Sequence, residues 1–282
     1  MSFKLALVQP LAHHPPEDER NVADAVAAIG RLAAKGADVI VFPETYPGPW
    51  RMPATFDPTS AIVDAAKQHG VYVQFGTLEP IDEREGTAHN TLVFARPDGS
   101  THVYRRTHPP GPWLYTGGPD WEFQYVEADD EFAVISTGIG SFGQAMCSEV
   151  YVPEVARALA LRGAEIILMP AGTDKRKLWS TWRTLLWARA IENIAIVVTT
   201  QNLWTPQERG MALVATPEEI IFETTEPGEF IVDVDLGRVR AMRADRDGVD
   251  SGTTYASKAG LLSQWQRPEM YRKFFPAEPA EL

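Results

Sequence analysis

The chain has 282 residues, 44% hydrophobic and 23% charged, with a net charge of −12 and one cysteine, Cys147. That length buries a substantial core, while the acidic balance argues against a nucleic-acid surface, which needs clustered Lys and Arg. A single cysteine excludes an intramolecular disulfide and a zinc cluster of cysteines, and no run approaches the roughly 18 apolar residues of a membrane span.

The first residues, FKLALVQ, read as a buried strand. They lack the basic flank and the small-residue cleavage site of a signal peptide, so a cytoplasmic setting is expected. NVADAVAAIGRLAAKG reads as a helix with an Asn cap candidate and a stop at Gly36, and ADVIVFPE as a buried strand. TSAIVDAAKQHG is the next helix. VYVQFGTLEP and HNTLVFARPDGSTHVYRR supply strands, the latter two joined by a hairpin turn at Pro97, Asp98 and Gly99. After a loop rich in Pro and Trp, FAVISTGIGSFGQAMCSEV gives two strands around a Gly-containing turn. PEVARALALRG is a helix with Pro153 near its start. AEIILMP is a strand, KLWSTWRTLLWARAIENI a long helix, AIVVTTQN a strand, and MALVATPEEIIFETTEPGEFIVDVDL a closing meander.

Strands interleaved with helices, with no repeat of roughly 20–50 residues and no low-complexity linker, predict one α/β domain over 1–282. The stretch 248–282 is weakly patterned. Its Trp265, Tyr271, Phe274 and Phe275 are costly in water, which places this tail on the body or on a partner subunit.

Three reactive groups each leave a strand toward a loop. Glu44 follows VIVFP and precedes TYPGPW. Arg106 ends VYRR and precedes THPPGPW. Cys147 stands between SFGQAM and a helix start. The segment PGPW occurs at both 47–50 and 110–113. Taken singly each group has a bland reading: a capped carboxylate, a solvated strand end and, most often for a lone cysteine, a small buried hydrophobe. A cysteine at a strand-to-helix turn is also where backbone N–H groups face a developing oxyanion, and a carboxylate at a strand end suits a general base. Together they make a case that none makes alone.

VFPET, YRRTHPPG, MCSEVYVPEVARALALRGAEIILMPAG and ARAIENIAIVVTTQN resemble, in order and spacing, the motifs of the nitrilase superfamily of carbon–nitrogen hydrolases, from about Phe3 to about Asp235. The resemblance implies a four-layer α-β-β-α sandwich and pairing of copies through helices beside the nucleophile, giving a homodimer or higher homo-oligomer. It implies Glu44 as general base and Cys147 as nucleophile, with the backbone N–H of Ser148 on the oxyanion and Glu149 as a mainly structural acid. Arg189 and Glu192 become packing and interface ion-pair residues. The expected substrate is a small-molecule amide or nitrile, cleaved through a cysteine thioester with no cofactor, metal, nucleic acid or membrane.

The chain departs from the family pattern in the loop before the nucleophile. The position of the family's lysine falls on Arg106, with Arg105 adjacent, and no acidic residue stands between Arg106 and Asp120. Arginine keeps a positive charge and a planar fork of donors but cannot release a proton at working pH. Three outcomes stay open: hydrolysis with Arg106 as a fixed cation, acyl transfer or cyclisation, and a nitrilase-like binding protein without turnover. Lys175 and Lys177 are possible substitutes for the lysine, though a solvated basic turn suits them better. Trp50, Trp113, Tyr115 and Trp179 are expected at the pocket mouth, against an apolar or aromatic acyl group.

Overall fold

The computed structural model describes residues 2–108, 124–128, 131–172, 179–244, 262 and 266–271. The strands form two sheets. The first holds β1 (Ser2–Gln9), β2 (Val39–Val41), β3 (Tyr72–Asp82), β4 (Thr87–Ala95), β5 (Thr101–Arg105), β6 (Gln124–Tyr125) and the last strand, β13 (Gly228–Asp235). Its order is β13-β1-β2-β3-β4-β5, with β6 also on β4. The second holds β7 (Val134–Ser136), β8 (Ser141–Gln144), β9 (Ile166–Leu168), β10 (Ile196–Thr199), β11 (Ala212–Ala215) and β12 (Ile220–Thr224), in the order β12-β11-β10-β9-β8-β7. Each sheet has a parallel centre, β1-β2-β3 in one and β8-β9-β10 in the other, flanked by antiparallel strands.

Strand residues alternate between faces, and here both faces are buried. Leu5, Leu7, Val39 and Val41 meet Phe142, Ile166, Leu168, Ile196 and Val198 between the sheets. Ala6, Val8, Ile40, Val73 and Phe75 point the other way, onto α1 (Arg20–Ala34) and α2 (Thr59–His69), through Ala25, Ile29, Leu32, Ile62 and Ala66. On the far side, Ile167, Val197 and Leu213 pack on α3 (Pro153–Leu161) and α4 (Trp179–Asn193) through Val155, Leu159, Trp182 and Leu186. The result is the expected α-β-β-α sandwich, and its continuous apolar strands reflect burial on both faces. Burying each such aliphatic side chain stabilises the fold by about 1.5–3 kcal/mol.

Most elements follow the sequence pattern, and three depart from it. Asn21 does not cap α1. The helix begins at Arg20, and the buried Asn21 side chain accepts from the His13 N–H and donates to the His13 carbonyl, pinning the preceding loop. The closing meander is split: β12 pairs with β11, but β13 crosses to the first sheet and pairs with β1 along its whole length. Helix α5 (Leu236–Arg243) was not anticipated. Capped by Asp235, it inserts Leu236, Val239 and Met242 into the end of the inter-sheet core. Of the tail, the described part is Leu262 and 266–271, with α6 (Pro268–Tyr271); Trp265, Phe274 and Phe275 lie outside the described residues.

Candidate active site

The parallel centres of the two sheets end at the same edge of the sandwich, and Glu44, Cys147 and Gly172 follow β2, β8 and β9 there. Such strand ends are where open α/β sheets present their ligands. The two sheets are stitched at this point. The Glu44 N–H donates to the Ala171 carbonyl (3.3 Å), and Asn202 Nδ2 donates to the Glu44 carbonyl (2.7 Å). Cys147 N–H donates to the Pro170 carbonyl (2.8 Å).

The loop after Glu44 is held by close backbone contact. Thr45 has φ 54°, and its N lies where a Cβ on Gly76 would sit only 2.2 Å away, so only glycine fits on the neighbouring strand. Gly76 N–H donates to the Tyr46 carbonyl (2.9 Å). The Cys147 backbone is also left-handed, at φ 49°, at the start of a short 3-10 helix, Cys147–Tyr151. That conformation costs a non-glycine residue roughly 1–2 kcal/mol and tends to mark functional turns.

Glu149 holds the turn in place. It is fully buried. Oε2 accepts from the Met146 N–H (2.8 Å), and Oε1 accepts from the Thr107 N–H (3.1 Å), the Thr107 hydroxyl (2.9 Å) and the His108 N–H (3.1 Å). The Tyr104 hydroxyl donates to both oxygens at 2.7 and 2.8 Å. Burial alone would raise this carboxyl. The hydrogen bonds from His108 and Tyr104 and the charge of Arg106 outweigh it and hold the group below the usual glutamate range. Burial, and then Glu149 itself, push the Tyr104 phenol well up, so it stays a donor.

Arg106 joins the two halves. Its Nη1 donates to Glu44 Oε1 at 2.9 Å, its Nη2 to the Ser148 hydroxyl, and its Nε to the His108 carbonyl at 2.8 Å. The Arg106 and Glu44 side chains are 4% and 6% exposed, so this ion pair is out of water. Burial would lower the guanidinium, but Glu44, then Cys147 and Glu149, raise it above its ordinary value. Arg106 is therefore a permanent cation, and Arg105 is not its substitute: it forms a two-pronged pair with Glu79 on the flank of the sheet.

Three further residues surround Glu44. Asn90 of β4, fully buried, donates from Nδ2 to Glu44 Oε1 (2.7 Å), while its Oδ1 accepts from the Thr45 hydroxyl (3.1 Å). The half-buried Tyr125 of β6 hydrogen-bonds Thr45 and lies in the electrostatic reach of Glu44, Arg106 and Cys147. The motifs missed Asn90 and Tyr125. The one sequence signal for Asn90 is a polar residue inside the apolar strand NTLVFA, and nothing local marks Tyr125.

The structure thus brings Glu44, Arg106 and Ser148 together beside Cys147. Trp50 is 4% exposed in the core between the first sheet and its helices, with its ring against Tyr46 and Trp204. Trp179 begins α4 and is exposed. Trp113, Tyr115, Lys175 and Lys177 lie outside the described residues. Arg189 and Glu192 form an ion pair at 2.7 Å, and Arg189 Nε also donates to the Val150 carbonyl behind the cysteine turn. Among the described residues no helix is long and apolar enough to cross a membrane.

A carbon-nitrogen hydrolase of Helicobacter pylori G27 superposes with a TM-score of 0.77 at 18% identity, over 98% of this chain and 99% of its own. An amidase from Nesterenkonia sp. AN1, solved with the acetamide moiety of fluoroacetamide at its active site cysteine, gives 0.75 at 22% identity over 97% of each chain. The architecture is therefore the nitrilase-type sandwich. The sequence profile described as "Carbon-nitrogen hydrolase" matches residues 4–244, most of the chain. Sequence relatives include a deaminated glutathione amidase of Synechocystis sp., 25% identical over 81% of this chain and 90% of its own. Another is an (R)-stereoselective amidase of Pseudomonas sp., 27% identical over 87% and 89%. The chain belongs to the carbon–nitrogen hydrolase family of the nitrilase superfamily, and it is an enzyme of that class.

Proposed function

We propose that the chain cleaves the C–N bond of a small-molecule amide through an acyl-thioester on Cys147. The observation that carries this reading is the Arg106 fork, which ties Glu44 Oε1 to Ser148, the residue after the cysteine, inside a water-poor site. Glu44 takes the proton from the Cys147 thiol, and Sγ attacks the carbonyl carbon. The negative charge that forms on oxygen faces the Ser148 N–H and the Arg106 cation. As the C–N bond breaks, the proton on Glu44 passes to the departing nitrogen. Water then adds to the thioester, giving one proton to Glu44, and the acid leaves as sulfur regains a proton.

Because Arg106 cannot release a proton, both transfers fall to Glu44, and arginine serves as fixed charge and scaffold. The amidases among the relatives support an amide over a nitrile. Two copies would pair through the faces of α3 and α4, where Leu161, Trp179, Ile191 and the nearby Tyr151 are exposed. The test is intact-mass spectrometry after incubation with a panel of small amides, nitriles and esters. An adduct of acyl mass on the parent chain, absent from Cys147→Ala, is expected with at least one amide. Full amidase activity in Cys147→Ala would overturn the mechanism.

A further inference from the structure

Glu44 has two carboxylate oxygens, and they are treated unequally. Oε1 accepts from both Asn90 Nδ2 and Arg106 Nη1. Oε2 faces Gly172, where even a Cβ would come within 3.2 Å. We propose that Thr45 and Asn90 form a one-way hydrogen-bond chain that fixes Oε1 as the anchored oxygen of Glu44 and leaves Oε2 to receive the Cys147 proton. This rests on the reading of Glu44 as the base for Cys147.

The direction of the chain follows from what each group can donate. A carboxylate only accepts, so the Asn90 atom facing Glu44 is the NH2, and its carbonyl oxygen faces Thr45. The Thr45 hydroxyl then spends its single hydrogen on Asn90 Oδ1, at 3.1 Å. Thr45 is placed for this by its left-handed backbone, which the bare Cα of Gly76 allows. Asn90 is fixed by its place inside β4, opposite Leu78 of β3.

Each link is thus rigid and points at Oε1. Two donors there make it the weaker base of the pair, and the thiol proton goes to Oε2. Losing a link frees the carboxylate to rotate, and proton transfer needs alignment within hydrogen-bond reach. Thr45 and Asn90 are positioning residues, since they act on the thiol only through Glu44.

Cys147 is the only cysteine, so its alkylation by iodoacetamide, followed by intact mass, reads thiol activation without a known substrate. In the full chain, Asn90→Leu and Thr45→Ala are expected to slow alkylation about five- to tenfold each, the scale of one lost hydrogen bond. Thr45→Ser, which keeps the hydroxyl, should recover most of the Thr45→Ala loss. A purely structural role would lower melting temperature without this pattern. Thr45→Ala leaves Asn90 and its strand in place, so it tests the chain even if Asn90→Leu fails to fold. Parent-like rates in Thr45→Ala, with Glu44→Gln slow, overturn the chain alone. A parent enzyme that alkylates no faster than free cysteine overturns the reading of Glu44 as base.

Discussion

Glu149→Gln isolates the group that holds the cysteine turn against the end of β5. The amide nitrogen must replace one oxygen. On the Oε1 side it would face three donors from Thr107 and His108, so the lower-cost choice is the Oε2 side, where it meets the Met146 N–H. That leaves one buried N–H unpaired, at about 1–3 kcal/mol. The remaining bonds change from charge-assisted to neutral, roughly halving each. Together the loss is on the order of 3–5 kcal/mol, the range for breaking a buried charged network. For a chain of this size it lowers the melting temperature by about 6–10 °C.

The pH dependence gives the sign. The folded carboxyl lies below the usual range, so its contribution is complete above the unfolded value near about 4.3 and fades as pH falls through the lower folded value. The gap between parent and Glu149→Gln should thus be full at pH 7 and shrink below about pH 4. Circular dichroism melts and urea titrations across that range measure it. A melting temperature within about 2 °C of the parent at pH 7, or a gap that widens in acid, would refute the argument.

Replacing Arg106 separates its charge from its shape. Arg106→Lys keeps a cation beside Glu44 but cannot span Glu44, Ser148 and the His108 carbonyl at once, so urea denaturation should show a loss of about 1–3 kcal/mol. Arg106→Met strands the buried carboxylate and should cost more, about 3–5 kcal/mol; equal losses would mean that the charge contributes nothing. Gly76→Ala drives a Cβ to 2.2 Å from Thr45 N, which backbone cannot avoid without moving the Glu44 loop. It is expected to cost more than about 3 kcal/mol or abolish soluble expression. A parent-like melt would show that the loop yields.

The three reactive residues were legible because each interrupts a local pattern. Glu44 and Cys147 close apolar runs that have no reason to end on an ionisable group, and Arg106 ends an alternating strand before a break of prolines. Cap and stop chemistry was less informative where a polar side chain had a tertiary task. Asn21 looks like a helix cap because asparagine usually is one, but its amide is spent on His13. The fate of β13 was out of reach for a different reason. Its alternation is the same whether it pairs with β12 or with β1, and the choice is made by an eight-residue register along β1 that no local window contains.

Asn90, Thr45 and Tyr125 were illegible for the reason that makes them informative. Each reads as ordinary in the sequence: a strand amide, a loop hydroxyl and a phenol in the mixed segment FQYVEA. Their meaning comes from a third dimension, in which β4, the Glu44 loop and β6 converge behind the carboxylate. The groups that do chemistry must reach the solvent edge, and the chain announces them by breaking its own periodicity. The groups that orient them sit one layer deeper, where a buried polar side chain is tolerated only if every hydrogen bond is answered. That demand links residues 44, 45, 90 and 106 into one set, so a change at any of them should be felt at the sulfur of Cys147 as well as by the fold.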